Sequence, residues 1–323
     1  LDLRLKVLEE LKKNRELYFS GEELSRRLGV SRTAVWKQVE ALRQQGYSIE
    51  AVNNRGYRLT GVPDRLLAAE IQEGLATRIM GRQAESYDQI SSTNTVAREK
   101  AEAGAPEGLV VVAEEQLDGR GRLGRQWLSP AGKGIWLSLV LRPDLRPAQA
   151  PRITLAAAVA LSLAIQQATG IRAGIKWPND LYLNGRKVAG ILTELKAEAD
   201  RIHYIVLGAG VNANLKEEDL PGSFLRKATS LLMELGRPVS RLELVKDFLT
   251  QLDLIYPLVG SNFETVLKSW KELSITLGRE VKVTSPWEQI NGLARDLTDE
   301  GALIVWDGRT EHIVYAGDVT LRE

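Results

Sequence analysis

The chain has 323 residues, 44% hydrophobic and 26% charged, with a formal net charge of +1, the profile of a globular protein of two or three domains. It has no cysteine, which excludes a disulfide frame, thiolate catalysis and a Cys-ligated metal. His203 and His312, the only histidines, stand in strand-like stretches with no acidic partner evident nearby in sequence, which argues against a Ser-His-Asp mechanism. No run of about 18 apolar residues suggests a membrane span, and Leu1-Asp2-Leu3-Arg4 lacks a signal-peptide pattern, so a cytoplasmic protein without a membrane partner is expected.

Charge is uneven along the chain. Leu1 to Thr60 carries twelve Lys/Arg against eight Asp/Glu, a local excess of +4 that leaves −3 for the remainder. A basic front end suggests a nucleic-acid partner. Val7, Leu8 and Leu11 give Leu5 to Leu17 helical spacing. Ser20 and Glu23 form a capping box for a second helix, with Phe19 placed to staple onto Leu24; Gly29 ends it and Ser31 caps a third. In the third helix Val35, Val39 and Leu42 face inward and Arg32, Thr33, Trp36, Lys37 and Glu40 outward. Two short capped helices around Gly29 read as a helix-turn-helix with Arg32 to Arg43 as recognition helix. Ile49 to Val52, the turn Asn53-Asn54-Arg55-Gly56 and Tyr57 to Leu59 read as a wing. The candidate DNA contacts are Arg32, Thr33, Trp36 and Lys37 for bases and Arg55 for phosphate. A helical protein-interaction module is the plainer alternative.

Val62-Pro63 marks a linker, and Asp64 to Glu73 reads as a helix. Ser91-Ser92-Thr93-Asn94 precedes another helix to about Ala103, where an ordinary N-cap is the simplest reading. Leu109 to Ala113 and Ile135 to Leu141 read as strands around Gly119-Arg120-Gly121-Arg122-Leu123-Gly124-Arg125-Gln126-Trp127. Three glycines and three arginines within seven residues make a mobile cationic loop suited to gathering carboxylate and phosphate. The glycine spacing also meets G-x-G-x-x-G, but a strand rather than a helix follows, so the dinucleotide reading fails. Arg152 to Thr169 is an Ala-rich helix; Leu181 to Leu183, Asn184-Gly185 and Arg186 to Leu195 form a hairpin in which Lys187, Ala189, Ile191 and Thr193 share a face. Ile202 to Leu207 is a strand, and Gly208-Ala209-Gly210-Val211-Asn212 allows backbone to approach a ligand. Lys216 to Thr229 reads as a mobile loop. Ser240 with Glu243 caps a long amphipathic helix, Asn262 to Leu273 is another, and the short strands after Gly278 read as a small barrel.

Gly119 to Trp127, Lys176-Trp177-Pro178-Asn179-Asp180 and Lys187-Val188-Ala189-Gly190-Ile191-Leu192 together resemble the biotin protein ligases, and the front segment resembles that of the bifunctional ligase and biotin operon repressor form. The resemblance implies an α+β multidomain chain: a winged helix-turn-helix over 1–62, a class II aminoacyl-tRNA-synthetase-like biotin ligase domain with a mixed sheet over 63–273, and an SH3-like small β-barrel over 274–323. It implies biotin and ATP as substrates with Mg²⁺, a biotin carboxyl carrier protein and operator DNA as partners, and a homodimer when biotinyl-AMP is bound. By the same resemblance Ser92, Thr93, Asn94, Gln116, Arg120, Gly121, Arg122, Lys187 and Gly190 hold biotin. Arg120, Arg122 and Lys187 stabilise the meeting anions, with Lys187 between carboxylate and α-phosphate. Trp127, Asn179, Asp180, Asn212 and Arg322 lie toward the nucleotide, and Asp180 is the candidate contact for Mg²⁺. Two alternatives stand beside this: a ligand-sensing transcription factor without turnover, and a lipoate-type acyl ligase.

Overall fold

Helical spacing of apolar residues organises the front of the chain. In α1 (Leu3–Lys13) Val7 and Leu11 are fully buried. Ser20 opens α2 (Gly21–Leu28) by accepting the Glu23 N–H at 3.0 Å, while the Glu23 carboxylate turns to Arg27 at 2.5 Å instead of closing a capping box. Ser31 opens α3 (Arg32–Gln44) through the Ala34 N–H. Val35, Val39 and Leu42 are fully buried, so the opposite face with Arg32, Thr33, Trp36 and Lys37 is left exposed. β1 (Ser48–Val52) and β2 (Gly56–Gly61) pair antiparallel, with exposed Arg55 in the turn between them, its guanidinium 5.2 Å from the Tyr18 ring centre.

This computed structural model describes residues 3–222, 224, 226–284 and 289–321 and divides into two units, Leu1–Arg65 and Leu66–Glu323. In the second, α4 (Ala68–Gln72) is shorter than the expected Asp64 to Glu73, because the Leu66 N–H donates to the Glu114 carboxylate at 2.7 Å rather than into a helix. β3 (Ala84–Ile90), α5 (Thr93–Glu102), β4 (Val110–Gln116), β5 (Ile135–Leu141) and α6 (Pro151–Thr169) follow. β6 (Gly174–Lys176), β7 (Asp180–Leu183), β8 (Arg186–Ala197) and β9 (Ile202–Val211) complete a seven-stranded sheet of order β3-β4-β5-β9-β8-β7-β6. Only β3 and β4 run parallel within it, so the sheet is mixed. α7 (Leu231–Leu235), α8 (Arg241–Ile255), α9 (Leu258–Ser261) and α10 (Phe263–Leu273) come next.

The sheet is covered on both sides. α5 packs on one face with Val111, Val140 and Val206; α6 packs on the other with Leu137, Leu139 and Leu207, backed by α8 and α10. That double burial explains why every residue of β5 is buried. By length and composition the stretch Pro147–Thr169, mean hydropathy 1.5, could cross a membrane, which the sequence reading had not expected. Its apolar surface is used instead in this core.

β10 (Glu280–Thr284), β11 (Gln289–Leu297), β12 (Leu303–Trp306), β13 (Glu311–Val314) and β14 (Asp318–Leu321) form a five-stranded antiparallel sheet of order β13-β12-β11-β10-β14. Val281, Leu303 and Val305 join the same core cluster as α6. β14 is a short alternating strand in which only Val319 is fully turned into the core.

Candidate functional site

On the α5 face of the large sheet lies a cavity of about 680 Å³. Its floor is made by absence. Gly190 on β8 sits opposite Gly210 on β9, and Gly208, two residues before Gly210, pairs with Leu192. A Cβ on Gly208 would stand 2.2 Å from Asn94 Oδ1, and one on Gly210 would stand 2.7 Å from Trp127 Nε1. These glycines leave room for two side chains above the sheet.

At one end the N-terminus of α5 meets β4 and β5. Ser92 is the N-cap by backbone geometry but makes no side-chain cap bond, so the simple capping reading is not what this stretch does. The Thr93 N–H donates to Gln116 Oε1 at 2.8 Å, and Thr93 Oγ1 lies 3.0 Å from the same oxygen. Gln116 Nε2 donates to Ser129 Oγ at 2.9 Å. Behind Thr93, Ser138 Oγ is 2.8 Å from Thr93 Oγ1 and 2.6 Å from Asn94 Oδ1. Asn94 Nδ2 donates to Glu194 Oε2 at 2.7 Å. Thr93, Asn94 and Ser138 are all buried. Ser138 and Glu194 were missed in sequence; a lone serine inside Ile135 to Leu141 was the available signal.

At the other end stand the cations. The arginine loop is a closed hairpin: the Trp127 N–H donates to Gly119 O at 2.8 Å and Arg120 bridges to Gln126. Leu123 at φ +58° and Gly124 at φ +73° turn its tip through a three-residue 3-10 segment, and no long helix opens there. Arg120 donates to Asp118 through Nε at 3.0 Å, and this hydrogen bond raises its pKa. Arg122 donates to Asn179 Oδ1 at 3.1 Å and to Gly317 O at 3.3 Å, and burial lowers its pKa. Arg125 pairs with Asp318 on the C-terminal sheet. Lys187 Nζ lies 2.7 Å from Asp180 Oδ1 and 5.0 Å from the centre of the Trp127 ring. Lys176, held by Tyr182 Oη at 3.2 Å, is pushed below the ordinary lysine range by burial, and the same cause pushes Tyr182 up to about 12.

Two elements aim Lys187. The hairpin turns at Asn184 and Gly185, both at positive φ, as Asn-Gly requires. A bulge follows: Leu181 pairs with Ala189 and Tyr182 with Lys187, leaving Val188 extra. The bulge overturns the expectation that Lys187 shares a face with Ala189, Ile191 and Thr193. Its Nζ instead stands over Gly190, on the cavity side, while Thr193 hydrogen-bonds Thr154 of α6 at 2.7 Å. The Lys187 main chain is clamped by Lys227 and Thr229, both at 2.9 Å.

Of the ligand residues expected from sequence, Ser92, Thr93, Asn94, Gln116, Arg120, Gly121, Arg122, Trp127, Asn179, Asp180, Lys187, Gly190 and Asn212 all line this cavity. Arg322 lies outside the described residues. Asn212 is buried and donates through Nδ2 to Thr229 O at 2.9 Å, so it ties down the loop after β9. Asn179 likewise spans to Ile191 O at 2.7 Å. The sequence reading erred on the histidines: each has an acid five residues upstream, His203 with Glu198 at 2.9 Å and His312 with Asp307 at 2.7 Å, because hairpin turns fold those residues back. Neither histidine lines the cavity.

The biotin/lipoate A/B protein ligase family matches residues 86–212, a helix-turn-helix domain family matches 3–58, and the biotin protein ligase C-terminal domain matches 276–322. The chain is similar to the bifunctional ligase/repressor BirA of Bacillus subtilis (strain 168), at 38% identity over 99% of this chain and 98% of that protein. It is 32% identical to the biotin–[acetyl-CoA-carboxylase] ligase of Mycobacterium tuberculosis over 79% of this chain and 97% of that one. A solved biotin protein ligase from Aquifex aeolicus, in complex with biotin and ATP, superposes with a TM-score of 0.64 at 27% identity, covering 75% of this chain and 99% of that one. With a helix-turn-helix segment ahead of a ligase sheet and its arginine loop, the chain belongs to the family of bifunctional biotin ligases and repressors.

Proposed function

We propose that the chain joins biotin to AMP and passes the biotinyl group to a lysine of a biotin carboxyl carrier protein, and that its biotinyl-AMP form represses transcription from an operator. Full-length similarity to bifunctional relatives carries this reading; the cavity supplies its chemistry. A biotin carboxylate oxygen attacks the α-phosphorus of ATP and pyrophosphate leaves. A carrier lysine amine then attacks the acyl carbon and AMP leaves. The first step brings two anions together, so its barrier is mainly electrostatic, and fixed cations lower it without an enzyme nucleophile. Lys187, Arg120 and Arg122 are the candidates for that charge, with Ser92, Thr93, Gln116, Gly121 and Gly190 around the biotin head. Trp127, Asn179 and Asp180 lie toward the nucleotide, while Asn94 and Asn212, in the cavity wall with their amides tied to Glu194 and Thr229, act as supports.

Among the described residues no cluster of three His, Cys, Asp or Glu is present. A magnesium ion would therefore rest mainly on nucleotide phosphates, with the Asp180 carboxylate as its candidate protein contact, the usual pattern for nucleotide-borne magnesium. Its contribution is to neutralise charge on the triphosphate.

The exposed residues Arg32, Thr33, Trp36, Lys37 and Arg55 form the DNA-facing surface of the front unit. Reading a two-fold operator needs two copies, so the acyl-adenylate form is a homodimer, and the protein works in the cytoplasm where DNA and carrier are found. Incubation with ATP, Mg²⁺ and either biotin or lipoate, followed by mass spectrometry, tests the ligase reading. Biotinyl-AMP from biotin is expected; lipoyl-AMP alone favours the lipoate-type reading, and neither product leaves a ligand-sensing transcription factor.

A further inference from the structure

Four oxygens stand in a row at the closed end of the cavity: Gln116 Oε1, Thr93 Oγ1, Ser138 Oγ and Asn94 Oδ1, separated by 3.0, 2.8 and 2.6 Å. Each spacing is a hydrogen-bond distance and needs one hydrogen between its oxygens. The two end oxygens are amide carbonyls and bring none.

The orientation of both amides is fixed from outside the row. Asn94 Nδ2 donates to Glu194 Oε2, and turning that amide over would set its oxygen against a carboxylate, which only accepts. Gln116 Oε1 accepts the Thr93 N–H while Nε2 donates to Ser129 Oγ, and turning it would set an NH₂ group against that N–H. Hydrogens therefore come from the Thr93 and Ser138 hydroxyls alone. There are two of them for three spacings, so the row is one hydrogen short.

Where the shortage falls follows from the distances. Ser138 gives its hydrogen to Asn94 Oδ1, the shortest spacing. Thr93 can then satisfy Ser138 or Gln116 but not both. Either way Thr93 Oγ1, which lines the cavity, receives no hydrogen from the protein, whereas Gln116 Oε1 keeps the Thr93 N–H. Solvent can supply that hydrogen when the cavity is wet. A ligand that displaces the water must bring its own donor, since an unpaired buried acceptor is costly.

We propose that Ser138 and Glu194 are specificity-determining residues: by fixing the Asn94 amide they move the missing hydrogen to the cavity wall, which then selects a ligand head carrying an N–H. A cyclic urea has that donor and a dithiolane does not. This rests on the biotin reading and adds two positioning residues to it.

The test is calorimetric titration with biotin and with analogues in which one ring N–H or the other is replaced by CH₂. The wild type should prefer biotin over the affected analogue by roughly 100-fold or more, because a site built to accept a donor rejects a ligand without one. Glu194→Leu frees Asn94 to turn and donate from Nδ2 to Ser138, which makes up the count inside the protein. Ser138→Ala removes two spacings and one hydrogen, leaving one hydrogen for one spacing. Both variants should cut the preference to about tenfold or less, whereas Glu194→Gln, which keeps a carbonyl for Asn94, should hold it near wild type. Should Ser138→Ala fold poorly, Glu194→Leu on the partly exposed strand carries the test. An unchanged preference in Glu194→Leu overturns the proposal. Failure of the wild type to bind biotin at all would instead contradict the proposed function.

Discussion

The two ends of the cavity are built on opposite principles. At the α5 end, Thr93, Asn94 and Ser138 are buried, and each polar atom's direction is dictated by its neighbours down to Glu194. At the cationic end, Arg120 and Arg125 are exposed, and three of the positive groups are matched to the protein's own acids: Arg120 to Asp118, Arg125 to Asp318 and Lys187 to Asp180. One end is organised before a ligand arrives. The other holds its charge in ion pairs that an incoming anion must replace. Preorganised dipoles confer recognition cheaply because they need not reorient. Exposed ion pairs contribute little to stability, so they can be exchanged at little cost. The contrast assigns affinity and selectivity to the first end and reaction rate to the second.

The largest expected effect falls on the cationic end. Lys187→Ala should slow biotinyl-AMP formation by about 100- to 1000-fold while biotin affinity changes far less; single-turnover kinetics beside calorimetry separates the two. Losing both together would place Lys187 at the head of the ligand instead.

Next comes a change at the organised end. Gly208→Ala places a methyl where Asn94 Oδ1 now lies, 2.2 Å from the new carbon, and Asn94 must leave Ser138. Biotin affinity should fall by roughly tenfold, the worth of about one buried hydrogen bond, with the rate at saturation nearly kept. A drop confined to rate would reverse the assignment.

How much of this was legible in the chain depends on which end is considered. Gly119 to Trp127 and the Asn184-Gly185 hairpin announce the cationic end, since charge and turn chemistry are local properties of sequence. The direction of Lys187 was not legible, because a bulge at Val188 depends on pairing across β7 and flips the face. The organised end was half hidden. Ser92, Thr93 and Asn94 stand together, yet their partners Ser138 and Glu194 lie 45 and 100 residues away from Thr93 and Asn94, respectively, and only the sheet order brings them together. The same holds for the histidines, whose acids were five residues off and became partners only when hairpins closed.

A smaller effect concerns Lys176. Burial keeps its pKa below the ordinary 10.5, so in a window just below 10.5 the free protein has partly lost that proton. An anion in the cavity favours the charged form and raises the pKa again. Nucleotide binding in this window should take up a fraction of a proton, read by calorimetry in buffers of different ionisation heat, and Lys176→Met should abolish the uptake.

The most direct test of the two-ended site is a salt series on one preparation, with biotin affinity and the single-turnover rate of adenylate formation at subsaturating ATP measured together. Raising ionic strength screens exposed charges but hardly touches buried hydrogen bonds. The biotin dissociation constant should stay level while the adenylation rate falls several-fold from about 0.05 to 0.5 M salt. If affinity and rate instead fell in step across the series, the division between an organised end and an exchangeable end would be contradicted.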